Sequence, residues 1–425
     1  MRAHLAYGRD GLEVDIPDAN PVSVLELPDV PVLADPAGAV VEALRGPTGS
    51  PPLSELAAGR RDAVIVISDH TRPVPNKPLV EAILGELAEA GLADSAVTVL
   101  VATGIHRPAT EAELAEMLGE DLCRRVEIVN HAPRDLSTCD YLGDEAGAPI
   151  WVCRRYMEAD LRVVTGLIEP HLLAGFSGGR KAVCPGLCAL ESLRVLHGAA
   201  ILESPRARYG IVDGNPFHEA AVAVARRAGV DFMVNVTIDR HRRLTGVFAG
   251  DLEGAHAAGV AFCRRGSTVA FPRRAPIVVT TGGGYPLDTS FYQSCKGLLA
   301  ALPVVAEGGT IILATACSTV GSADFEGLLA ESASGPQLRS RLLEPGFFRP
   351  DQWMAHHLTH VLEEAEVLCY AGNLEPATVD SLLVRSAPSV QDALAGALRR
   401  HGPGASVAVI PDGPYVLAEA EEARA

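Results

Sequence analysis

The sequence lacks any uninterrupted apolar run of the roughly eighteen residues that a membrane-spanning helix requires. Its first residues, MRAHLAYGRDGLEVDIPD, contain no apolar signal core either. Net positive charge is also missing, because 36 Lys and Arg stand against 53 Asp and Glu, which gives -17 at pH 7. Such a chain is a poor partner for nucleic acid or for an anionic membrane surface. We therefore expect a cytoplasmic enzyme without a membrane or nucleic-acid partner.

Common metal and nucleotide signatures are absent as well. The nine cysteines show no paired short spacings of the zinc-ribbon kind. Cys184 and Cys188 flank a Pro-Gly turn, which we interpret as a structural thiol pair. The glycine-rich segment EPHLLAGFSGGRKAVCPGL has Ala182 after Lys181, where a P-loop has Ser or Thr. The Gly-x-Gly-x-x-Gly spacing of dinucleotide sites is missing too, so another chemistry must explain Lys181.

The chain has ample material for packed cores, since 48% of its 425 residues are apolar and 21% are charged. Short apolar runs alternate with helical patterns, beginning with AVIVIS (63–68), NKPLVEAILGELAEAG (76–91) and AVTVLVAT (96–103). This order predicts an α/β fold of two lobes with mostly parallel sheets and an active site in the interlobe cleft. We place the domains at 1–270 and 271–425, with the basic stretch RRGSTVAFPRRAP as the linker.

Chemically active side chains follow the strands of both predicted lobes. Ligands of open α/β sheets bind beyond the carboxyl ends of the strands. The candidates after the first-lobe strands are Asp69, Thr71, Arg72, His106, His171, Lys181 and, at a helix end, His197. The second lobe offers Tyr292, Gln293 and Lys296, and a helix would place the last two on one face.

These residue types suggest chemistry at a carbon next to a carboxylate. The imidazoles of His106, His171 and His197 all flank these loops, and two imidazoles that face each other across a substrate can exchange protons near neutral pH. Arg72 and Lys296 can hold a carboxylate between them. The C2 hydrogen of a hydroxy acid is weakly acidic, so a cofactor that accepts hydride is the alternative to proton removal, and Lys181 is a candidate for attaching or gripping that cofactor.

Two other histidine patterns are less promising. HHLTH places His356 and His360 four residues apart on a predicted helix, but the glutamate of His-Glu-x-x-His is missing. We interpret this pattern as a solvated helix face. His131 follows a predicted strand and is a candidate for bracing the site.

Five motifs in this order resemble the lactate racemase family, which uses a nickel-pincer nucleotide: SDHTRPVPNK, TGIHRP, HLLAGFSGGRKAVCPG, LHG and YQSCKG. They span residues 60 to 300, in both predicted lobes. The resemblance implies an isomerase that inverts C2 of a 2-hydroxy acid, lactate or a related compound. Its cofactor is a nicotinate-derived mononucleotide whose ring carbon and two sulfur groups hold nickel.

The resemblance also implies a role for each candidate residue. The cofactor would be bound covalently through Lys181, with His197 completing the nickel coordination. His106 and His171 would be the acid/base pair for reversible hydride transfer. The remaining matches are to substrate-binding positions (Arg72, Tyr292, Gln293, Lys296) and to cofactor-binding positions (Asp69, Thr71, Gly178, Gly179, Arg180). The N-terminal domain would carry the cofactor and the acid/base residues, and the C-terminal domain would close over them.

Maturation would require the enzymes that make and sulfurate the nucleotide. Ser177 interrupts a glycine run that is common in the family, and Leu172 and Leu173 replace an aromatic-containing pair, so the particular 2-hydroxy acid stays open. Two alternatives also stay open: a nicotinamide-dependent 2-hydroxy acid dehydrogenase, and a noncatalytic relative that binds the cofactor.

Overall fold

The computed structural model describes residues 1–344 and 346–421. It divides into two compact units. The central unit is Val30–Arg265, and the terminal unit combines Met1–Asp29 with the chain from Gly266 onward.

The strands follow one another along the chain as β1 (Arg2–Leu5), β2 (Leu12–Asp15), β3 (Val22–Val24), β4 (Ala63–Ser68), β5 (Val97–Ala102), β6 (Glu127–Asn130), β7 (Cys139–Glu145), β8 (Ala148–Cys153), β9 (Leu161–Leu167), β10 (Pro170–His171), β11 (Gly175–Phe176), β12 (Phe232–Ile238), β13 (Leu244–Gly250), β14 (Thr268–Phe271), β15 (Ala275–Thr281), β16 (Val305–Thr315), β17 (Ala365–Ala371), β18 (Arg385–Ser386), β19 (Val407–Ile410) and β20 (Leu417–Ala420).

The α-helices are α1 (Pro36–Arg45), α2 (Leu53–Ala57), α3 (Asn76–Glu89), α4 (Glu111–Leu118), α5 (Glu120–Arg125), α6 (Arg154–Met157), α7 (Leu190–Leu196), α8 (Ala199–Leu202), α9 (Pro216–Ala228), α10 (Gly254–Ser267), α11 (Phe291–Ala301), α12 (Ala323–Ala330), α13 (Gly335–Leu342), α14 (Gln352–Glu364), α15 (Pro376–Asp380) and α16 (Val390–His401). Short 3-10 helices cover Asp94–Ala96, Leu136–Thr138, Gly179–Ala182, Leu287–Thr289 and Gly413–Tyr415.

The central unit is built on a six-stranded sheet in the order β13-β12-β9-β4-β5-β6. Its strands pair in parallel except for the β12–β13 hairpin. The run AVIVIS forms β4, and its first five residues are buried because both faces of the sheet are covered. Helix α3 packs Leu79, Val80 and Ile83 into the same core. The parallel arrangement brings the carboxyl ends of β9, β4 and β5 to one edge.

The terminal unit contains a second six-stranded sheet, β18-β17-β16-β15-β19-β3, whose pairings are all parallel. Apolar residues of β15, β16 and β19 form its core with Val390, Leu394 and Ala397 of α16. The predicted α/β class with mostly parallel sheets is therefore confirmed. Within the described ranges, no helix has the length and apolar character needed to cross a bilayer.

The division between the units differs from the predicted one in one respect. The boundary at 265/266 lies close to the predicted 270/271, but Met1–Asp29 belongs with the C-terminal part of the chain. The reason is long-range pairing, because β3 runs parallel to β19. In addition, the Asn20 side chain donates to the carbonyl oxygens of Pro403 and Ala405. The predicted linker also contains a strand, β14, which pairs with β20.

Candidate active site

Three neighbouring strands of the central sheet end in loops that carry most of the candidate residues. β4 ends at Ser68, β5 at Ala102 and β9 at Leu167. β4 pairs in parallel with both β5 and β9. The loop after each strand consequently starts from the same edge of the sheet, as ligand-binding loops of α/β proteins do.

Asp69 and His106 form a hydrogen-bonded pair at this edge. His106 Nδ1 lies 2.5 Å from Asp69 Oδ2, while the Thr71 hydroxyl and backbone N–H donate to Asp69 Oδ1 at 2.6 and 3.1 Å. Burial acts to raise the pKa of Asp69, but His106, Thr71 and Arg72 outweigh burial and hold that pKa well below its usual value. The carboxylate is therefore ionised at neutral pH. It accepts the proton of His106 Nδ1, which leaves Nε2 as the proton-accepting nitrogen of the neutral ring.

Arg72 pairs with a carboxylate that the sequence analysis missed. Its Nη1 lies 3.5 Å from Oε1 of Glu169, and both side chains are mostly buried. Glu169 directly precedes Pro170 and His171, so its position within the EPH motif was an available signal. The pair links the loop after β4 to the loop after β9.

His171 is oriented by the backbone that follows it. The N–H groups of Leu173 and Ala174 both donate to its Nδ1, each at 3.2 Å. The short pairing of β10 with β11 brings the chain back on itself here. A nitrogen that accepts two hydrogen bonds carries no proton, so the neutral ring of His171 bears its proton on Nε2.

The departures from the family pattern have structural explanations in this loop. The hydroxyl of Ser177 donates to the Leu167 carbonyl at 2.6 Å and accepts from the Glu169 N–H at 2.9 Å, which closes the end of β9. Leu172 and Leu173 are buried, 6% and 2% exposed. All three residues therefore stabilise the loop that presents His171.

Gly178 and Gly179 serve close packing within the protein. Both have left-handed backbones, with φ of 79° and 53°. A Cβ on Gly178 would collide with Asn235, and one on Gly179 would come within 2.8 Å of the His256 ring. Asn235 Oδ1 also accepts from the Gly179 N–H at 2.6 Å. The space beside these glycines is filled by Asn235 and His256, two residues that no sequence motif indicated.

Arg180 is directed into the protein interior. Its side chain is 1% exposed. The guanidinium donates to backbone carbonyl oxygens and contacts His256 Nε2 at 2.8 Å. The carbonyl acceptors are those of Ala174 (2.8 Å), Phe176 (2.8 Å), Gly178 (3.2 Å) and Ser177 (3.4 Å). Arg180 thus ties together the backbone that precedes Lys181.

Lys181 lies in the 3-10 helix Gly179–Ala182, and His197 directly follows α7. His197 is 8% exposed, and its ring packs edge-on against Phe217 with centroids 5.0 Å apart. Desolvation, assisted by the positive charge of Lys181, lowers the pKa of His197 to about 3. The two residues are thus electrostatically coupled, and the imidazole is neutral at physiological pH, as metal ligation requires.

The terminal-unit candidates all lie on α11, whose N-cap Ser290 accepts from the Gln293 N–H. Gln293 and Lys296 are each 7% exposed. The Tyr292 hydroxyl accepts a 2.8 Å hydrogen bond from Trp353 Nε1. Trp353 is therefore a further residue that the sequence motifs did not indicate.

The HHLTH interpretation was wrong on exposure. His356 and His357 of α14 are 1% and 7% exposed, so they do not form a solvated helix face. His131 is buried, its Nε2 donates to the Cys188 carbonyl at 3.1 Å, and burial lowers its pKa to about 4; its role in bracing the site stays a prediction. The Cys188 thiol stays protonated, because a hydrogen bond with Cys184 and burial raise its pKa well above the usual value.

Known proteins match this chain over nearly its whole length. Residues 7–210 match the lactate racemase N-terminal domain and residues 271–418 the lactate racemase C-terminal domain. A lactate racemase of Lactiplantibacillus plantarum is 36% identical over 382 residues, which cover 89% of this chain and 90% of the relative. A lactate racemase of Thermoanaerobacterium thermosaccharolyticum is 33% identical over 419 residues, 97% of this chain and 98% of the relative.

Solved structures agree. The lactate racemase apoprotein of Thermoanaerobacterium thermosaccharolyticum superposes with a TM-score of 0.92 at 32% identity, over 99% of this chain and all of that one. A Thermotoga maritima protein, 19% identical with a TM-score of 0.71 over 91% of this chain and 98% of its own, shares the fold. The chain belongs to the lactate racemase family and is an isomerase of the racemase type.

Proposed function

We propose that this protein inverts C2 of a 2-hydroxy carboxylate, lactate or a close relative, with a nickel-pincer nucleotide bound covalently through Lys181. The observation that carries the proposal is the burial of His197, which is 8% exposed, directly follows α7 and is neutral at physiological pH, together with the placement of Lys181 in the 3-10 helix Gly179–Ala182, where its charge acts on His197. An amine beside a neutral nitrogen donor suits a group that needs both an anchor and a metal ligand. Gly178 and Gly179 leave no open space for the cofactor, because Asn235 and His256 occupy the positions beside them.

The bound cofactor would supply a centre that takes hydride from C2 and returns it. The chain itself handles the proton of the C2 hydroxyl. His106 can accept that proton at Nε2, because Asp69 holds Nδ1 as a donor. His171 faces the reaction as the second member of the acid/base pair, and Arg72 is the proposed carboxylate ligand, since guanidinium binds carboxylate bidentately.

The other roles follow from the family resemblance. In the terminal unit, Tyr292, Gln293 and Lys296 are proposed substrate-binding residues. Asp69 and Thr71 are proposed members of the cofactor-binding loop, in addition to supporting His106. Gly178, Gly179 and Arg180 are proposed to act on the cofactor indirectly, by shaping the backbone that presents Lys181. Maturation would depend on the enzymes that synthesise and sulfurate the nucleotide.

The test starts from chain co-produced with those enzymes. Intact-protein mass spectrometry and metal analysis should find an adduct on Lys181 and about one nickel per chain. Lys181→Ala should lose the adduct. Lys77→Ala is the matched control, because Lys77 is a surface lysine of the same unit, paired with Asp121 at 2.8 Å. Chiral chromatography of single lactate enantiomers then measures inversion.

The outcomes separate the parts of the proposal. An adduct retained in Lys181→Ala would remove that lysine from the attachment role. A loaded chain that leaves both lactate enantiomers unchanged, but inverts another 2-hydroxy acid, would change the substrate only. Reduction of a nicotinamide by an unloaded chain would instead favour the dehydrogenase alternative.

A further inference from the structure

We propose that Glu169 is a positioning residue for Arg72 and that its charge restricts the substrate to 2-hydroxy acids with a single carboxylate. The part that concerns substrate rests on the function proposed above, in which Arg72 binds the substrate carboxylate. The part that concerns positioning rests on contacts within the central unit.

The guanidinium of Arg72 is held at one nitrogen and open at the other two. Its Nη1 lies 3.5 Å from Oε1 of Glu169, and the Arg72 side chain is 21% exposed. Among the residues that the structure describes, this is the only hydrogen bond of the guanidinium. Nε and Nη2 form an edge of the same plane that matches the two oxygens of a carboxylate. Arg72 therefore keeps one bidentate edge for a ligand while Glu169 holds Nη1.

Glu169 is itself fixed through its main chain. Its N–H donates to the Ser177 hydroxyl, and its carbonyl oxygen accepts from the Ser177 N–H, both at 2.9 Å. The same hydroxyl donates to the Leu167 carbonyl at the end of β9. The Glu169 side chain is 14% exposed, and within residues 1–344 and 346–421 its carboxylate has no hydrogen-bonding partner besides Arg72. A carboxylate on so constrained a backbone can set the orientation of a long guanidinium side chain.

Negative charge exceeds positive charge around this guanidinium. The ionised carboxylate of Asp69, on the same loop as Arg72, also interacts with it electrostatically. Two carboxylates thus share one guanidinium before any substrate binds. A substrate carboxylate can still bind, because it gains two hydrogen bonds from the free edge. A second carboxylate on the substrate would find that edge occupied and would be repelled by Glu169, in a mostly buried site where charges are poorly screened.

Crystal structures of the full-length, cofactor-free chain test the positioning role. Glu169→Gln keeps an oxygen acceptor in the same place, so the Arg72 guanidinium should stay where it is. Glu169→Ala removes the acceptor, so the guanidinium should shift. If Glu169→Ala does not fold, Glu169→Ser replaces it. A guanidinium that keeps its position without the acceptor overturns the positioning role.

Glu89→Gln is the matched control for the loss of one carboxylate charge. Glu89 is exposed and pairs with Arg45 at 2.7 Å. It is the last of the 14 residues of α3, so it lies about 20 Å along that helix from the loop that carries Arg72. We expect Glu89→Gln to leave both the Arg72 position and the kinetics below unchanged.

Steady-state kinetics of the loaded enzyme test the charge restriction, with malate and the C4 monoamide of malate as substrates. Malate carries a second carboxylate on C3, and the monoamide has nearly the same shape without the second charge. In the wild type, kcat/KM for the monoamide should exceed kcat/KM for malate. In Glu169→Gln this preference should shrink about tenfold, because one repulsion between two charges is removed.

Lactate kinetics of the same variants separate position from charge. Glu169→Ala should raise KM for lactate about tenfold with a smaller change in kcat, because Arg72 loses the hydrogen bond that holds it. Glu169→Gln should restore KM to the wild-type value or below, since the amide oxygen still holds Arg72 and the competing charge is gone. An unchanged KM in Glu169→Ala would contradict the positioning role.

The remaining outcomes each decide one part of the proposal. A monoamide preference that is equal in Glu169→Gln and in the wild type overturns the charge restriction. So does a wild type that rejects malate and its monoamide equally, because size and not charge would then limit the substrate. If the loaded wild type inverts none of the three acids, the proposed function fails and the charge restriction fails with it, whereas the crystal structures still decide the positioning role.

Discussion

Replacing Arg180 with methionine should destabilise the central unit more than any ordinary loop substitution. The guanidinium is the largest of the fully buried side chains and satisfies four backbone carbonyls as well as contacting His256. Methionine fills similar space with an adaptable apolar chain, so the change removes the donors without opening a large cavity. The acceptors are left buried without this donor, and water has little access to them.

The magnitude follows from the number of groups affected. Each buried polar group that loses its partner costs about 1–3 kcal/mol. We expect about 4 kcal/mol for Arg180→Met, since carbonyl oxygens that keep a second partner lose less. For a unit of this size, that corresponds to a Tm about 10 °C lower. Arg226→Met is the control: Arg226 is a surface arginine paired with Glu253, and its loss should leave the free energy of unfolding nearly unchanged.

The assay can read the central unit alone. The chain has two tryptophans, Trp151 in the central unit and Trp353 in the terminal unit. In a Trp353→Phe background, tryptophan fluorescence during urea unfolding reports on the environment of Trp151. If Arg180→Met lowered the free energy of unfolding no more than Arg226→Met does, Arg180 would not be the residue that holds the loop together. If Arg180→Met lost stability but kept the cofactor on Lys181, the contacts of Arg180 would be needed for the stability of the unit and not for cofactor attachment.

Two further predictions, one on a substitution and one on a fall in pH, involve buried ionisable side chains. Asp69→Asn should lower kcat of the loaded enzyme for both lactate enantiomers by about 10²- to 10⁴-fold with a smaller change in KM, because His106 loses its tautomer support; steady-state kinetics at full cofactor loading measure this, and an unchanged kcat contradicts it. The cofactor-free chain should also lose stability as pH falls, because three buried histidines have pKa values lowered, first of all by desolvation, to about 4 (His131) or about 3 (His197 and His256). The free energy of unfolding is unaffected by these histidines above their unfolded pKa of about 6.5. As pH falls from there toward their folded pKa values, the free energy of unfolding decreases by up to about 1.4 kcal/mol per histidine and pH unit. Urea midpoints that do not fall from neutral pH to about pH 5 would contradict this prediction.

Much of the central sheet was predictable from local patterns. The run AVIVIS is β4 residue for residue, and the predicted run AVTVLVAT (96–103) contains β5 (Val97–Ala102). These elements are continuous in sequence, and their apolar runs reflect burial on both faces. The assignment of Met1–Asp29 was not predictable in this way, since it depends on β3 pairing with a strand that lies near the other end of the chain.

The candidate site divides along a similar line. Its candidate histidines could be selected from the sequence because they follow strand ends, and the carboxyl ends of neighbouring parallel strands lie at one edge of the sheet. Their tautomers could not, since Asp69 reaches His106 across two loops and the partners of His171 are backbone amides. His256 gave no signal at all, because it lies on α10, far along the chain from the loop that it contacts.

The adjacent cations Arg180 and Lys181 show why residue type alone could not assign these roles. The family resemblance assigns both to the cofactor, but the structure buries Arg180 and leaves Lys181 partly exposed. A guanidinium carries five donors in a rigid plane and keeps its proton, so it can serve several converging carbonyls while buried. A lysine amine offers a single nitrogen that becomes a nucleophile once it loses a proton. The neighbouring positions therefore separate two demands: Arg180 holds the loop together, and the proposed function needs a reactive amine at Lys181. Exchanging the two residues would satisfy neither demand.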